Sequence, residues 1–185
     1  ACLESVDGRG VSRVCEALLV GGEGIFRARR VTQSDEALLL RWANDPVTRK
    51  SGFCQDLIAP LTHREWLKKK LGDQEQCRLY IVEAEQGTPV GQVRFEHQNG
   101  AWEVHYAVAP LFRGRGIGRR LLGEGLRVLQ VEMGCVSVFG KVKRDNLASQ
   151  RIFEAIAFDA YPGEAENGIV FKKRLSLSCL LYTSD

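Results

Sequence analysis

The chain has 185 residues, with 26 Lys and Arg against 23 Asp and Glu, a formal net charge of +3 and a mean hydropathy of −0.18. That length fits one domain with a real core, and so small a basic excess suits an anionic small-molecule ligand without demanding nucleic acid. The six cysteines form no Cys-x-x-Cys pair or zinc-type His/Cys spacing, the start carries no secretory pattern, and no apolar run approaches the ~18 residues of a membrane span; disulfides, a metal and a membrane are all disfavoured, and a cytoplasmic setting is expected.

Residues 1–23 read as a leader, a turn and one short helix ending at Gly21-Gly22, and residues 176–185 as a tail outside the domain, leaving a domain over 24–175. The first strand begins near Ile25. Thr32-Gln33-Ser34-Asp35 can cap a helix whose Leu38, Leu39 and Trp42 share a face, and Thr62-x-x-Glu65 is a capping box for a second, carrying Trp66, Leu67 and Leu71. Cys77 to Ala84, Val90 to Glu96 and Ala101 to Val108 alternate as strands, turned at Gln86-Gly87-Thr88-Pro89 and at Asn99-Gly100. Helical spacing returns from Ile117 to Val131, with Gly123 and Gly125 inside it, each costing about 1 kcal/mol against alanine unless close packing compensates. A strand at Val136 to Val142, a helix led by Asn146, and strands near 158–161 and 168–174 complete the order β-αα-βββ-α-β-α-ββ. That is the pattern of a mixed-sheet α+β domain, mostly antiparallel and splayed after strand four, where Pro110 cannot continue a ladder.

Between strand four and the long helix stands Arg113-Gly114-Arg115-Gly116-Ile117-Gly118, followed by Arg119 and Arg120. Glycines at these positions clear side chains from a helix start, so that successive amides can point at an anion. No Lys-Ser/Thr follows, which excludes a Walker loop, and no long first strand opens a dinucleotide fold. The motif reads as a pyrophosphate loop or as a basic surface turn capping a helix.

The segment from Tyr106 to Leu122 resembles the acetyl-CoA-binding motif of the GNAT acetyltransferase superfamily, and Asn146 to Phe158 is similar to that superfamily's asparagine-led helix ending in a Gly-Phe pair, here Ala157-Phe158. The resemblance covers about residues 25 to 175. It implies an N-acetyltransferase with acetyl-CoA as co-substrate and direct attack of an amine on the thioester. Residues carried over to the cofactor are Val108, Arg113, Gly114, Arg115, Gly116, Ile117, Gly118, Arg119, Asn146 and Phe153, with the Tyr106 N–H facing the thioester carbonyl. Asn146 can equally be a helix cap, and Phe153 core.

Deprotonating the incoming ammonium falls to His105 or Glu103, which share a face of strand four; an imidazole of ordinary pKa, about 6.5, suits the task better than an unshifted glutamate. Both can also merely face solvent or bond across the sheet. Many relatives have a tyrosine where this chain has Phe153, so the departing thiolate must take its proton from Tyr106, Tyr161, water or substrate, or leave unaided.

The acceptor end belongs to the first helices and the exposed face of strands three and four. Trp42 to Arg49, His63-x-x-Trp66 and Gly91 to Phe95 are similar to acetyltransferases acting on the 4-amino group of UDP-linked dideoxy sugars on the way to nonulosonic acids. The leader resembles the end of the nucleotide-sugar hydrolase fused to some of them. Trp42, Arg49, His63 and Arg94 are the acceptor candidates; their alternatives are core packing for Trp42 and a plain solvent-facing strand residue for Arg94. A protein N-terminal or ribosomal-protein acetyltransferase, favoured by an acidic cleft, and a noncatalytic acyl-CoA sensor are the competing readings.

Overall fold

In the computed structural model, which describes residues 25–163 and 168–176, a seven-stranded sheet runs through the domain in the order β1-β2-β3-β4-β5-β7-β6. The leader and the tail beyond Ser176 lie outside the described residues. The strands are β1 (Arg27–Arg30), β2 (Cys77–Ala84), β3 (Thr88–Gln98), β4 (Ala101–Val108), β5 (Val136–Lys143), β6 (Asp159–Pro162) and β7 (Gly168–Leu175). The helices are α1 (Glu36–Ala43), α2 (Pro46–Ser51), α3 (Pro60–Gly72), α4 (Ile117–Met133) and α5 (Leu147–Ala155). Every pairing is antiparallel except β4 with β5. This is the mixed α+β sheet that the alternation and turn signals predict. Among the described residues no helix is long and apolar enough to cross a membrane.

Two starts differ from expectation. Helix α3 opens two residues before Thr62, at Pro60, with Ala59 as N-cap and no side-chain cap. Proline at the first helical position has its φ preset and loses no needed N–H, so it outcompetes the Thr62-x-x-Glu65 box. Helix α2 is additional: Asp45 caps it by accepting from the Thr48 amide at 3.0 Å, and Pro46 again stands at the first position. The Thr32–Asp35 box does form, around a single 3-10 turn that leads into α1.

The core lies on both faces of the sheet. Leu121, Leu122 and Leu129 of α4 are fully buried, and that helix sits close because Gly125 faces Val93, whose Cγ atoms would stand 2.8–2.9 Å from any Cβ placed there. Gly123 has nothing within 4 Å of such a Cβ, so close packing accounts for only one of the two helical glycines. On the other half of the sheet Phe153 of α5 stacks on Phe171 of β7, ring centroids 5.0 Å apart, and meets Phe158 edge-on.

A splayed cleft at the candidate active site

Strands β4 and β5 are joined only at Trp102–Val138 and Glu103–Phe139; beyond that point they separate. The other edge of β4 stays paired with β3 throughout, and the Ala109 amide bonds the Val90 carbonyl at 2.9 Å. Antiparallel alternation from that bond turns the amides of His105 and Ala107 toward β3 and those of Tyr106 and Val108 toward the gap. The splay is thus a wedge lined by free backbone donors. It opens into a cleft of about 1120 Å³ that runs from α1 and α2, across β4, to α5.

At the wedge mouth Gly114 and Gly116 adopt φ of +73° and +72°, and a Cβ on either would meet nothing within 4 Å. Only glycine enters that left-handed region without strain, and the turn it makes delivers the chain to α4 with Gly116 as N-cap and no side chain satisfying the helix's first amides. The amides of Gly114, Arg115 and Gly116 make none of the loop backbone bonds found among the described residues. The helix dipole adds its positive end. Gly118, on the first turn, keeps space for Ile152, whose Cδ1 would lie 2.5 Å from a Cβ there. Arg115 and Arg119 are exposed beside this turn.

Arg113 does something other than the phosphate contact expected of it. Its Nε donates to the Val108 carbonyl at 3.1 Å, its Nη1 pairs with Asp45, and its Nη2 donates to Thr48 Oγ1 at 2.8 Å. It is a strut between the loop and α2. Burial pushes the Asp45 carboxyl upward, but the Thr48 amide and the Arg113 guanidinium outweigh that and hold it below the usual carboxylate range. Val108 therefore presents its amide to the wedge while its carbonyl is occupied.

Across the wedge, Asn146 caps α5, its Oδ1 accepting from the Ser149 amide at 3.1 Å, and it also lines the cleft. The helix cap expected of it is made. Ser149 Oγ lies 2.6 Å from the Tyr106 hydroxyl, and this pair, for which no local sequence signal exists, forms the cleft wall near the Phe153 ring. Burial raises the Tyr106 phenol to about 12, partly offset by Ser149. Phe153 is 2% exposed and is chiefly core. Tyr161 lies half exposed on β6, with Lys172 over its ring and away from the cleft, which removes it as a proton donor.

On the opposite face of β4, Glu103 and His105 line the cleft beside Lys141 of β5. The Lys141 ammonium stands 3.4 Å from the Glu103 carboxylate, and His105 Nε2 stands 3.8 Å from Glu103 Oε1. The imidazole of ordinary basicity expected from the sequence is not what the fold provides. Desolvation first, then the charges of Arg94, Lys141 and Lys70, push His105 down to about 3, against an upward pull from Glu96. Its side chain keeps 40% of its surface, but that surface faces the cleft. His105 is held neutral.

The acceptor candidates divide. Trp42 is 4% exposed, sits in the core and does not line the cleft; its place on the apolar face of α1 decides this. Arg49, His63 and Arg94 do line it. His63 is 3% exposed with Nδ1 unpartnered, and burial lowers its pKa despite Glu36 nearby. Trp66, on the same helix face, joins the group: its ring centroid is 5.3 Å from that of His63, and the Arg94 guanidinium lies 5.2 Å over it.

The acetyltransferase (GNAT) domain pattern matches residues 26–159. A Bacillus subtilis (strain 168) protein, YwnH, provisionally named a phosphinothricin acetyltransferase, is 30% identical over 118 residues, 59% of this chain and 70% of that one. The fold is similar to spermidine N-acetyltransferase from Vibrio cholerae solved with CoA and spermine (TM-score 0.71, 17% identity, 83% of this chain and 96% of that one). It is also similar to a phosphinothricin acetyltransferase from Sinorhizobium meliloti solved with acetyl-CoA (TM-score 0.67, 13% identity, 82% and 89%). The side-chain-free turn at Gly114 and Gly116, the uncapped helix start and the free amides of the wedge fit the diphosphate and the amide-bearing arm of such a thioester.

Proposed function

We propose, from the premise that this chain belongs to the GNAT acetyltransferase family and is an acetyl-CoA-dependent N-acetyltransferase, that it acetylates the primary amine of a small acceptor entering between α2, α3 and the β3–β4 face. The observation that carries this reading is the wedge itself. Its free Tyr106 and Val108 amides open directly onto a face that holds a neutral imidazole and a carboxylate, so donor and acceptor can meet at β4.

In this reading Gly114 to Gly118 and the start of α4 hold the diphosphate, and the Val108 amide and Asn146 hold the arm. The Tyr106 N–H stabilises negative charge developing on the carbonyl oxygen, the kind of contact that gives most to catalysis because it strengthens only as the charge forms. Glu103 or, once a bound acceptor restores its basicity, His105 takes the ammonium proton directly or through water, the two groups standing 3.8 Å apart. The hydroxyl of Tyr106, polarised by Ser149, supplies a proton to the departing sulfur in place of the missing hydroxyl at Phe153.

A UDP-linked amino sugar is the acceptor we put first within this class, supported by the resemblance of residues 42–49, 63–66 and 91–95 and by the arginines beside the cleft. Trp42 no longer contributes to it. The lining favours this over a peptide or polyamine acceptor, which an acidic cleft would suit, because its charged groups are mostly cationic. The test is a thiol-release screen with acetyl-CoA against UDP-amino sugars, acidic amino acids, polyamines and peptides, followed by identification of the acetylated product. Acetyl-CoA binding with no thiol release for any amine would make the chain a sensor and end the proposal.

A further inference from the structure

We infer that the acceptor half of the cleft selects an amine that also carries an oxyanion, and that the guanidinium fork of Arg94 on its Trp66 platform is the group that holds it. The inference rests on the acetyl-transfer reading and names the chemical class of its acceptor.

Arg94 is oriented from three sides. Its Nε lies 2.9 Å from Glu96 Oε1 in an ion pair, although the N–H is not aligned as a hydrogen bond. Its plane lies over the Trp66 ring at 5.2 Å. Its strand position is paired with His105 in the β3–β4 register. Neither Nη has a hydrogen-bonding partner among the described residues, yet the side chain lines the cleft and is 24% exposed. An arginine anchored at one edge with its other edge empty presents a preformed, two-toothed donor for carboxylate, phosphate or phosphinate.

The surroundings agree. The charged groups that line the cleft are Arg49, Arg94, Arg113, Lys141 and Arg151 against the single carboxylate of Glu103. Asp45 occupies Arg113, and Glu103 faces Lys141. That leaves Arg151 on α5 and, on the acceptor side, Arg94 and, beyond it, Arg49, whose Nη1 reaches only the Asp56 carbonyl at 3.3 Å and whose Nε is unpartnered. The buried His63 beside Trp66 keeps an unpartnered Nδ1. A polycation such as spermine would meet repulsion here.

The placement also links binding to chemistry. The groups that bear on His105 are Arg94 and Glu96 from β3, Glu103 from β4, Lys141 from β5 and Lys70 from α3. An oxyanion on Arg94 cancels the largest cationic contribution, so the imidazole gains basicity when the acceptor is in place. An uncharged amine leaves it weak.

Two sources offer this chemistry, the diphosphate of a nucleotide sugar and the acid group of an amino acid. The experiment uses the full chain and its Arg94→Gln and Arg94→Lys variants. Calorimetry of UDP and of glutarate, without acetyl-CoA, reads the anion site directly. Binding of either, weakened roughly ten- to hundredfold in Arg94→Gln and only partly restored in Arg94→Lys, supports the inference, and the anion that binds identifies the source. NMR titration of His105 should show its pKa rising when that anion is bound. In turnover, the ratio of kcat/KM for an anionic amine over an uncharged one should fall by roughly the same factor in Arg94→Gln. Failure of both anions to bind, an unchanged ratio, or wild-type preference for spermine overturns the inference while leaving acetyl transfer intact. Absence of thiol release with every amine, with anion binding retained, strikes the acetyl-transfer reading instead.

Discussion

Replacing Arg113 with alanine separates two roles that the sequence could not distinguish. The residue makes an ion pair with Asp45, a hydrogen bond to Thr48 Oγ1 at 2.8 Å and another to the Val108 carbonyl at 3.1 Å. The two bonds to neutral acceptors contribute about 1 kcal/mol each, and a half-buried ion pair of this kind about 1–2. Because the three share one guanidinium and water replaces part of each, the expected loss is roughly 2–3 kcal/mol. Urea unfolding with an unchanged m-value is the assay. Acetyl-CoA affinity should move little, since in the proposed reading the diphosphate is held by amides of the Gly114–Gly118 turn, whereas KM for the acceptor should rise because α2 loses its tether. If stability stays within about 0.5 kcal/mol while acetyl-CoA affinity falls and becomes less salt-sensitive, Arg113 is a phosphate ligand and the strut argument is wrong.

Gly116→Val puts a β-branched side chain at φ +72°, costing about 1–2 kcal/mol, and should sharply weaken acetyl-CoA binding seen by calorimetry; normal affinity would dismiss the turn as the diphosphate site. Tyr106→Phe removes the hydroxyl paired with Ser149 and should lower kcat more than it alters acetyl-CoA affinity, with the loss shrinking for a thioester whose thiol is more acidic; equal losses for both thioesters would argue against proton donation. His105 contributes to pH dependence with a definite sign. Its folded pKa is depressed, so the unfolded chain binds the extra proton between about 6.5 and about 3, and stability should fall as pH drops through that window. His105→Gln should flatten the decline in denaturant titrations, and an unaltered slope would contradict the burial argument.

Turn chemistry and residue type made β2 to β4 readable to the residue at most ends, although only β3 alternates cleanly in burial, β2 being covered on both faces through Tyr80, Ile81 and Val82. The glycine turn was readable because glycines ahead of a helix mark a left-handed turn or a close approach, and at Gly114 and Gly116 the backbone is left-handed. Helix α2 was missed although Asp45-Pro46 is an N-cap followed by a favoured first residue, a local signal that lay within view. Other features had no local signal. Arg113 finds Asp45 across 68 positions, Tyr106 finds Ser149 across 43, and Glu103 finds Lys141 across 38. The low basicity of His105 follows first from burial and then from charges on α3, β3 and β5 that meet only after folding. Trp42 was misassigned because an aromatic on an amphipathic face reads the same whether it meets a ligand or a neighbour.

With only Trp102 and Glu103 stitched to β5, the domain is two leaves bound at a short spine: β1 to β4 with α4 on one side, and β5, β7 and β6 with α5 on the other. In the proposed reading a thioester carrier lies in the gap and touches both, acting as mortar as well as reactant. Hydrogen exchange should slow on carrier binding along β5 and the first turn of α5 more than in β2 or β3, which have a strand on either side. Equal slowing everywhere would mean that the leaves already move as one.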